Sequence, residues 1–465
     1  MEQFRTKLEN SITKVSNACK VITVFDWALL GVLCAFVYST MLFDDLIITY
    51  SHGLCFWDCL FSGEIANFYP YAKANSWEEW TACYYLPLYV IFAVWNLPIW
   101  LLSKVVTVDL YAPGFLLWAK GMNLFFVIVI CILICRILKE FEIGKEMQKG
   151  IIFLFVSSLN LILPTWAMGQ YDIVCCFFLV WGLYEYCKAP RISWKCLLIF
   201  AIAVTMKLFA IFAIIPLILL KEKRIMHIIK NLIIVLSGLF LCVMPYREVF
   251  AEASVQSNFN NMWRDRLLFN TLPGGNSAIP CFVLFYGLIC IWAYYKTCND
   301  SKEECIHANW VILASLLTLF VFVFCHPQWI VLITPFLTML VALNGIKINY
   351  LLDLFLNIGI SVYYCYYFNW VYGTELAFKY MLFKGIPYNE RYHNMAEIVD
   401  AHGFTVYMSS FFAVFVACAI ALLVINMPKK EYVKVDCEVE ANYLRLRLLP
   451  ILAYILGTVL IAYIR

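Results

Sequence analysis

Two aspartates stand side by side where the first apolar run ends, Asp44 and Asp45 in "MLFDDLIITYSHG". Adjacent residues on a helix point in different directions, so one carboxylate can face a cavity while the other faces away. A carboxylate so placed suits a general base or a metal ligand. The plain alternative is a polar helix boundary. Gln170 and Asp172, in "GQYDIVCCFFLVWGLYEY", open another apolar run. Asp at a helix start caps it and complements the dipole. An amide and a carboxylate together also suit a hydroxyl-rich substrate. Lys207 lies inside an apolar run, in "VTMKLFAIF". An ammonium at membrane depth costs about 2.5–3.5 kcal/mol on insertion scales, so it needs a partner or water. Asp172 is one candidate partner, and a phosphate is the preferred one.

Arg247, Arg264 and Arg266 share one loop, 247–277. Arginine is the better group for bidentate phosphate contacts, against the alternative of an ordinary solvated loop. His326 and Gln328 flank Pro327 in "FVFCHPQWIVLITPF", where one apolar run ends and the next begins. A lone histidine there is more often structural, but its neighbours are polar and the turn is short. His52, Asp58 and Glu64 read as surface residues. Cys55, Cys59 and Cys83 could pair, but free thiols are the preferred reading because nothing in their spacing compels a bridge.

The elements that must position these residues are membrane helices. The chain is 64% hydrophobic and 14% charged over 465 residues, against about half and a quarter in soluble domains. Apolar runs long enough for a bilayer recur throughout, and a span needs about 20 residues. The expected fold is an all-α polytopic membrane protein, read as one domain over residues 1–465. Three larger loops interrupt it, at 44–83, 247–277 and 371–405. The first carries an amphipathic helix ending near Gly63, suited to lie in the interface plane. Most of the 20 cysteines lie inside apolar runs, where they act as small hydrophobes. The basic N-terminal stretch, with Arg5, Lys7, Lys14 and Lys20, is expected in the cytoplasm and is too long and polar for a cleaved signal.

Charge placement predicts a break at Lys207. Lys188, Arg191 and Lys195 form one basic cluster, and Lys221, Lys223, Arg224 and Lys230 the next. If both are cytoplasmic, the short stretch between them must leave and return as two half-helices. The turn "PTWAMGQYD" and loop 44–83 then share the outer side with Lys207. One count does not close. Passing through 84–102 and 114–137 puts Arg136, Lys139, Lys145 and Lys149 outside, against the positive-inside rule. Pro98, in "WNLP", marks a candidate re-entrant break.

No HExxH, Gly-rich phosphate loop or nucleotide fold is present, and no nucleic-acid partner is expected. The features that remain resemble the glycosyltransferase C superfamily of integral-membrane sugar transferases. They are the Asp44–Asp45 pair after the first span, the long first loop followed by "YYLPLY", then "PTWAMGQYD", "TMKLFAIFAIIPL" and "HPQWIVLITP", in that order up to about residue 345. The resemblance implies about 11–14 helices, some broken, around a cavity open to the outer face and the lipid. It implies a polyprenyl-phosphate-linked sugar as donor and a glycan, lipid or protein as acceptor. Asp44 or Asp45 would be the base. Lys207, Arg247, Arg264 and Arg266 would hold the donor phosphate, with a divalent cation as a further candidate; Gln170, Asp172, His326 and Gln328 would contact substrate. The implied host is a bacterial plasma membrane, with the endoplasmic reticulum as the alternative. A flippase of lipid-linked sugars and a polysaccharide polymerase are the competing functions.

Overall fold

A computed structural model describes residues 22–251, 266–275, 277–389, 391–428 and 441–463. Arg264 lies outside the described residues. The described chain is helical apart from a two-stranded hairpin, β1 (Thr271–Gly274) with β2 (Ser277–Pro280). Among the described residues, ten helices or bent helix pairs are long and apolar enough to cross a membrane, and three more are shorter but apolar. The protein is therefore an all-α integral membrane protein.

Helix α1 (Val24–Thr40) starts in a capping box, with Thr23 and Asp26 satisfying each other's backbone amides. Asp26 also accepts from Arg445 at 2.9 and 3.0 Å, tying the first helix to the last. After a break at Met41–Phe43, α2 (Asp44–Ser62) leaves at a bend of 69°. Gly63 ends it with φ +77°, the left-handed conformation that a side chain disfavours. A short α3 (Phe68–Asn75) follows, then α4 (Leu86–Val105), α5 (Pro113–Glu140), α6 (Lys145–Val156) and α7 (Leu159–Ala167).

The α6–α7 pair is bent by 55°. Its break is satisfied by a buried polar network. Asn357 Oδ1 accepts from Ser158 Oγ (2.6 Å) and from the Asn160 amide (3.2 Å). Arg447 donates to Ser157 Oγ at 3.0 Å and pairs with Asp353. Backbone freed inside a bundle must find partners in this way.

Helices α8 (Ile173–Lys188), α9 (Trp194–Met206) and α10 (Leu208–Lys221) come next. Lys207 is the single residue between α9 and α10. At 1.5 Å per residue these two helices are each only about 20 Å long, so they meet below the full depth of a bilayer. The expected pair of half-helices is present. Both basic clusters sit at one end: Lys221 donates to the Ala189 carbonyl at 2.6 Å and pairs with Glu304 at 3.2 Å.

The remaining helices are α11 (Ile225–Val243), α12 (Cys281–Tyr295), α13 (Ser301–Phe322), α14 (Pro327–Asn344) and α15 (Ile348–Tyr367). Short α16 (Glu375–Phe378) and α17 (Met395–Ala401) lead to α18 (Thr405–Ile425) and α19 (Ala441–Ile461).

The count that failed in the sequence closes here, though not at Pro98. Helix α4 runs unbroken through Pro98 and lies along α2. Trp57 donates to the Ala93 carbonyl at 2.7 Å, and Asp58 meets Trp100 at 2.9 Å and Lys104 at 2.7 Å. The start of α5 returns to the end of α1, where Lys120 donates to the Tyr38 and Met41 carbonyls at 2.7 and 2.6 Å. So α4 begins and ends at the end of the bundle away from the basic clusters. It is long enough to cross a membrane, yet both of its ends lie at that one end of the bundle. The first large loop therefore extends from 44 to 112, and α5 carries Arg136 and Lys139 down to the basic end.

Candidate active site

At the end opposite the basic clusters lies a cavity of about 710 Å³. Its walls come from the start of α2, the loop before α4, the turn before α8, the α9–α10 break and the turn before α14. Asp44, Asp45, Lys207, His326 and Gln328 all line it. Five of the residues singled out in the sequence, from three distant segments, are brought to one cavity.

The two aspartates divide as adjacent helical residues must. Asp45 accepts from Gln170 Nε2 through Oδ2 at 2.6 Å. Asp44 instead reaches Lys379, beyond α16, at 3.2 Å, beside a smaller polar pocket of about 290 Å³. The break that delivers them is held from three sides. Lys120, fully buried, caps the Tyr38 and Met41 carbonyls. The Leu42 amide donates to the Leu376 carbonyl (2.8 Å) and the Phe43 amide to the Met168 carbonyl (3.0 Å).

Gln170 and Asp172, expected at the substrate, are not themselves on the cavity wall. They stand behind the residues that are. Gln170 holds Asp45, and Asp172 Oδ1 lies 2.9 Å from Lys207 Nζ. Between them Tyr171 faces the cavity, its hydroxyl accepting from Thr49 at 2.7 Å. Asp172 makes no side-chain capping bond to α8, so capping does not explain it. The turn is set by Gly169, with φ +79°; a Cβ there would come within 2.8 Å of Leu42 Cδ1. Asn123 of α5 donates to the Gly169 and Gln170 carbonyls at 2.9 and 3.1 Å.

Lys207 therefore has the carboxylate partner, and its ammonium also lies 4.9 Å from the Tyr84 ring centre and 5.5 Å from that of Trp329. Two aromatic faces beside a paired ammonium add cation–π attraction to the ion pair. His326 packs against Trp329, ring centres 5.1 Å apart. Burial pushes His326 down to about 4, with Arg266 and Lys207 adding in the same direction, so its imidazole is neutral at pH 7. It can donate and accept hydrogen bonds there but does not supply positive charge. Gln328 Oε1 is buried without a hydrogen-bond partner on the cavity wall.

The expected arginines separate. Arg247 is exposed just beyond α11 and does not line the cavity; its neighbour Tyr246 donates to the Ile65 carbonyl at 2.9 Å. Arg266 lies over the Phe324 ring at 4.7 Å and lines a second cavity of about 700 Å³ with Tyr363, Tyr367 and Phe412. Phe324 and Cys325 in its wall immediately precede His326.

Sequence reasoning missed several residues. His52, expected at the surface, is buried and lines the cavity, with Nε2 3.0 Å from the Trp80 carbonyl. Lys120 carried a readable signal, since a lysine inside an apolar run demands a partner just as Lys207 does. Nothing local in the sequence pointed to Asn123, Tyr171 or Lys379. Comparison of the chain with family models, with curated proteins and with solved structures returned no match.

Proposed function

We propose that the protein is a membrane glycosyltransferase that moves a sugar from a polyprenyl-phosphate-linked donor to a hydroxyl of a glycan, lipid or protein acceptor. The observation that carries this reading is Asp45 on the cavity wall, one oxygen held by Gln170, in the same cavity as Lys207 and neutral His326. Asp45 takes the acceptor's hydroxyl proton. The acceptor oxygen forms the new bond to the sugar's anomeric carbon, and the carbon–oxygen bond to phosphate breaks with its electrons leaving on the phosphate. Lys207 and Arg266 are the cations placed to offset that charge. Tyr84, Tyr171, Trp329 and Trp370 on the walls offer faces for sugar rings. The aromatic cavity beside Arg266 suits the donor's isoprenoid end. In this reading the cavity opens on the side away from the cytoplasm, in a bacterial plasma membrane, and a divalent cation assists only if chelation lowers the rate.

The test is D45N and D44N protein in liposomes supplied with radiolabelled polyprenyl-phosphate sugar and an acceptor glycan. Loss of a general base costs about 100- to 10,000-fold. That loss is expected for D45N with donor binding retained, while D44N keeps measurable transfer. Wild-type transfer by D45N removes Asp45 as base. Donor crossing the bilayer without any transfer replaces the reading with a flippase.

A further inference from the structure

At the basic end, remote from both cavities, the turn between α12 and α13 brings Cys298, Glu303 and His307 together, with one ligand atom of each within 4.8 Å of the others. We infer that these three residues form a Zn²⁺ site that clamps the α12–α13 turn. The inference does not depend on the proposed transfer reaction.

Each ligand is already oriented by its other atom. Glu303 Oε2 accepts from the Asn299 amide at 2.8 Å, which leaves Oε1 directed at the cluster. His307 Nδ1 lies 2.6 Å from the Glu303 carbonyl. A carbonyl only accepts, so the proton sits on Nδ1 and the Nε2 lone pair is free. That is the tautomer a metal needs, fixed by the second hydrogen bond that metal-bound histidines usually make. Trp292 lies nearly parallel to the imidazole at 5.8 Å and holds its plane. Glu303 Oε1 and His307 Nε2 are both buried and neither has a hydrogen-bond partner. Two unpaired buried polar atoms facing one another are costly in a folded protein, and an ion between them removes that cost.

Helix capping accounts for part of the cluster only. Asp300 accepts from the Glu303 amide at 2.7 Å, and Glu303 Oε2 accepts from the Asn299 amide. This uses neither Oε1, nor Nε2, nor the thiol. Lys296 is the competing cation, but its ammonium is 3.8 Å from Glu303 Oε1, beyond hydrogen-bond reach. Thiolate, carboxylate and imidazole together favour zinc over magnesium or calcium. Ligand atoms around tetrahedral zinc stand about 3.5 Å apart, so the side chains need close by only about 1 Å. Glu303 and His307 are one helical turn apart, and Cys298 lies on the preceding loop.

The test uses the full chain in detergent, loaded with Zn²⁺ alone and dialysed against metal-free buffer. About one zinc per chain is expected by elemental analysis, as for a single site with three protein ligands and a fourth position left to water. C298S and H307A should lose it, while C418S, a cysteine far from the cluster, should keep it. Co²⁺ in place of zinc should give a thiolate charge-transfer band in wild type and not in C298S. Because C298S changes a loop residue, its unchanged tryptophan fluorescence would show that it still folds. Zinc content unchanged in C298S and H307A, or wild type that holds no zinc after dialysis, overturns the inference.

Discussion

Asp45 and Lys207 each reach the cavity with a partner behind them, and the two partners come from one turn. That arrangement makes the pairs unequal to their parts. Lys207 is 10% exposed and Asp172 not at all. Removing one member of a buried pair leaves an uncompensated charge and costs about 3–5 kcal/mol, whereas replacing both with apolar groups is often neutral. D172L is therefore expected to melt well below wild type, and D172L/K207M to recover most of the loss, as read by thermal unfolding in detergent. Equal melting of D172L and wild type would show that Asp172 does not hold Lys207. His326 adds a pH term whose sign follows from burial. Its folded value is about 4, against about 6.5 for an unfolded histidine. Between those values the unfolded chain binds the extra proton, so stability is complete above pH 6.5 and falls as pH drops towards 4. H326Q lacks this term. Its melting temperature should change less than that of wild type across the same interval.

Breaks between elements place the site, and they were unequally legible. The Lys207 break was readable because two basic clusters lay too close for two full spans, and the half-helices α9 and α10 are there. The break before Asp44 was readable only as the end of an apolar run. What aims it is Lys120, seventy-five residues away from Asp45, and pairing across that separation leaves no local trace. The same physical rule that singled out Lys207 applied to Lys120, whose three donors need acceptors in an apolar setting. K120M strands the carbonyls of Tyr38 and Met41. Each unsatisfied buried acceptor costs about 1–3 kcal/mol, so K120M should lower the melting temperature. Under the proposed reaction it should also cut transfer about 10- to 100-fold, because small misplacements of a reacting group cost that much. A folded K120M with wild-type transfer would mean that the break is held by the Leu376 and Met168 contacts alone.

Hydropathy defines the molecule as a polytopic bundle, but it misleads on which helices cross. Length and apolar content were enough to class α4 with the spans, and they class it so in the structure too. The discriminating facts are contacts. Its middle exchanges hydrogen bonds with the start of α5, Trp95 donating to the Trp118 carbonyl at 2.8 Å and Trp118 to that of Trp95 at 3.3 Å. Its end meets α2 at Asp58. The end of α11, which starts beside the basic cluster at Arg224, docks on the same loop through Tyr246. A helix that crossed would have carried Lys104 and Asp109 to the basic end, and α5 would then have had to start there, leaving Lys120 and Asn123, near its start, at the wrong end of the bundle. An epitope inserted at Asp109 should therefore be reached by antibody from the same side as one at Ser76, and from the side opposite to one at Arg191. Access to the Asp109 and Arg191 epitopes from one common side would return α4 to the membrane. It would also separate the start of α5 from the Asp44–Asp45 break that it is proposed to hold.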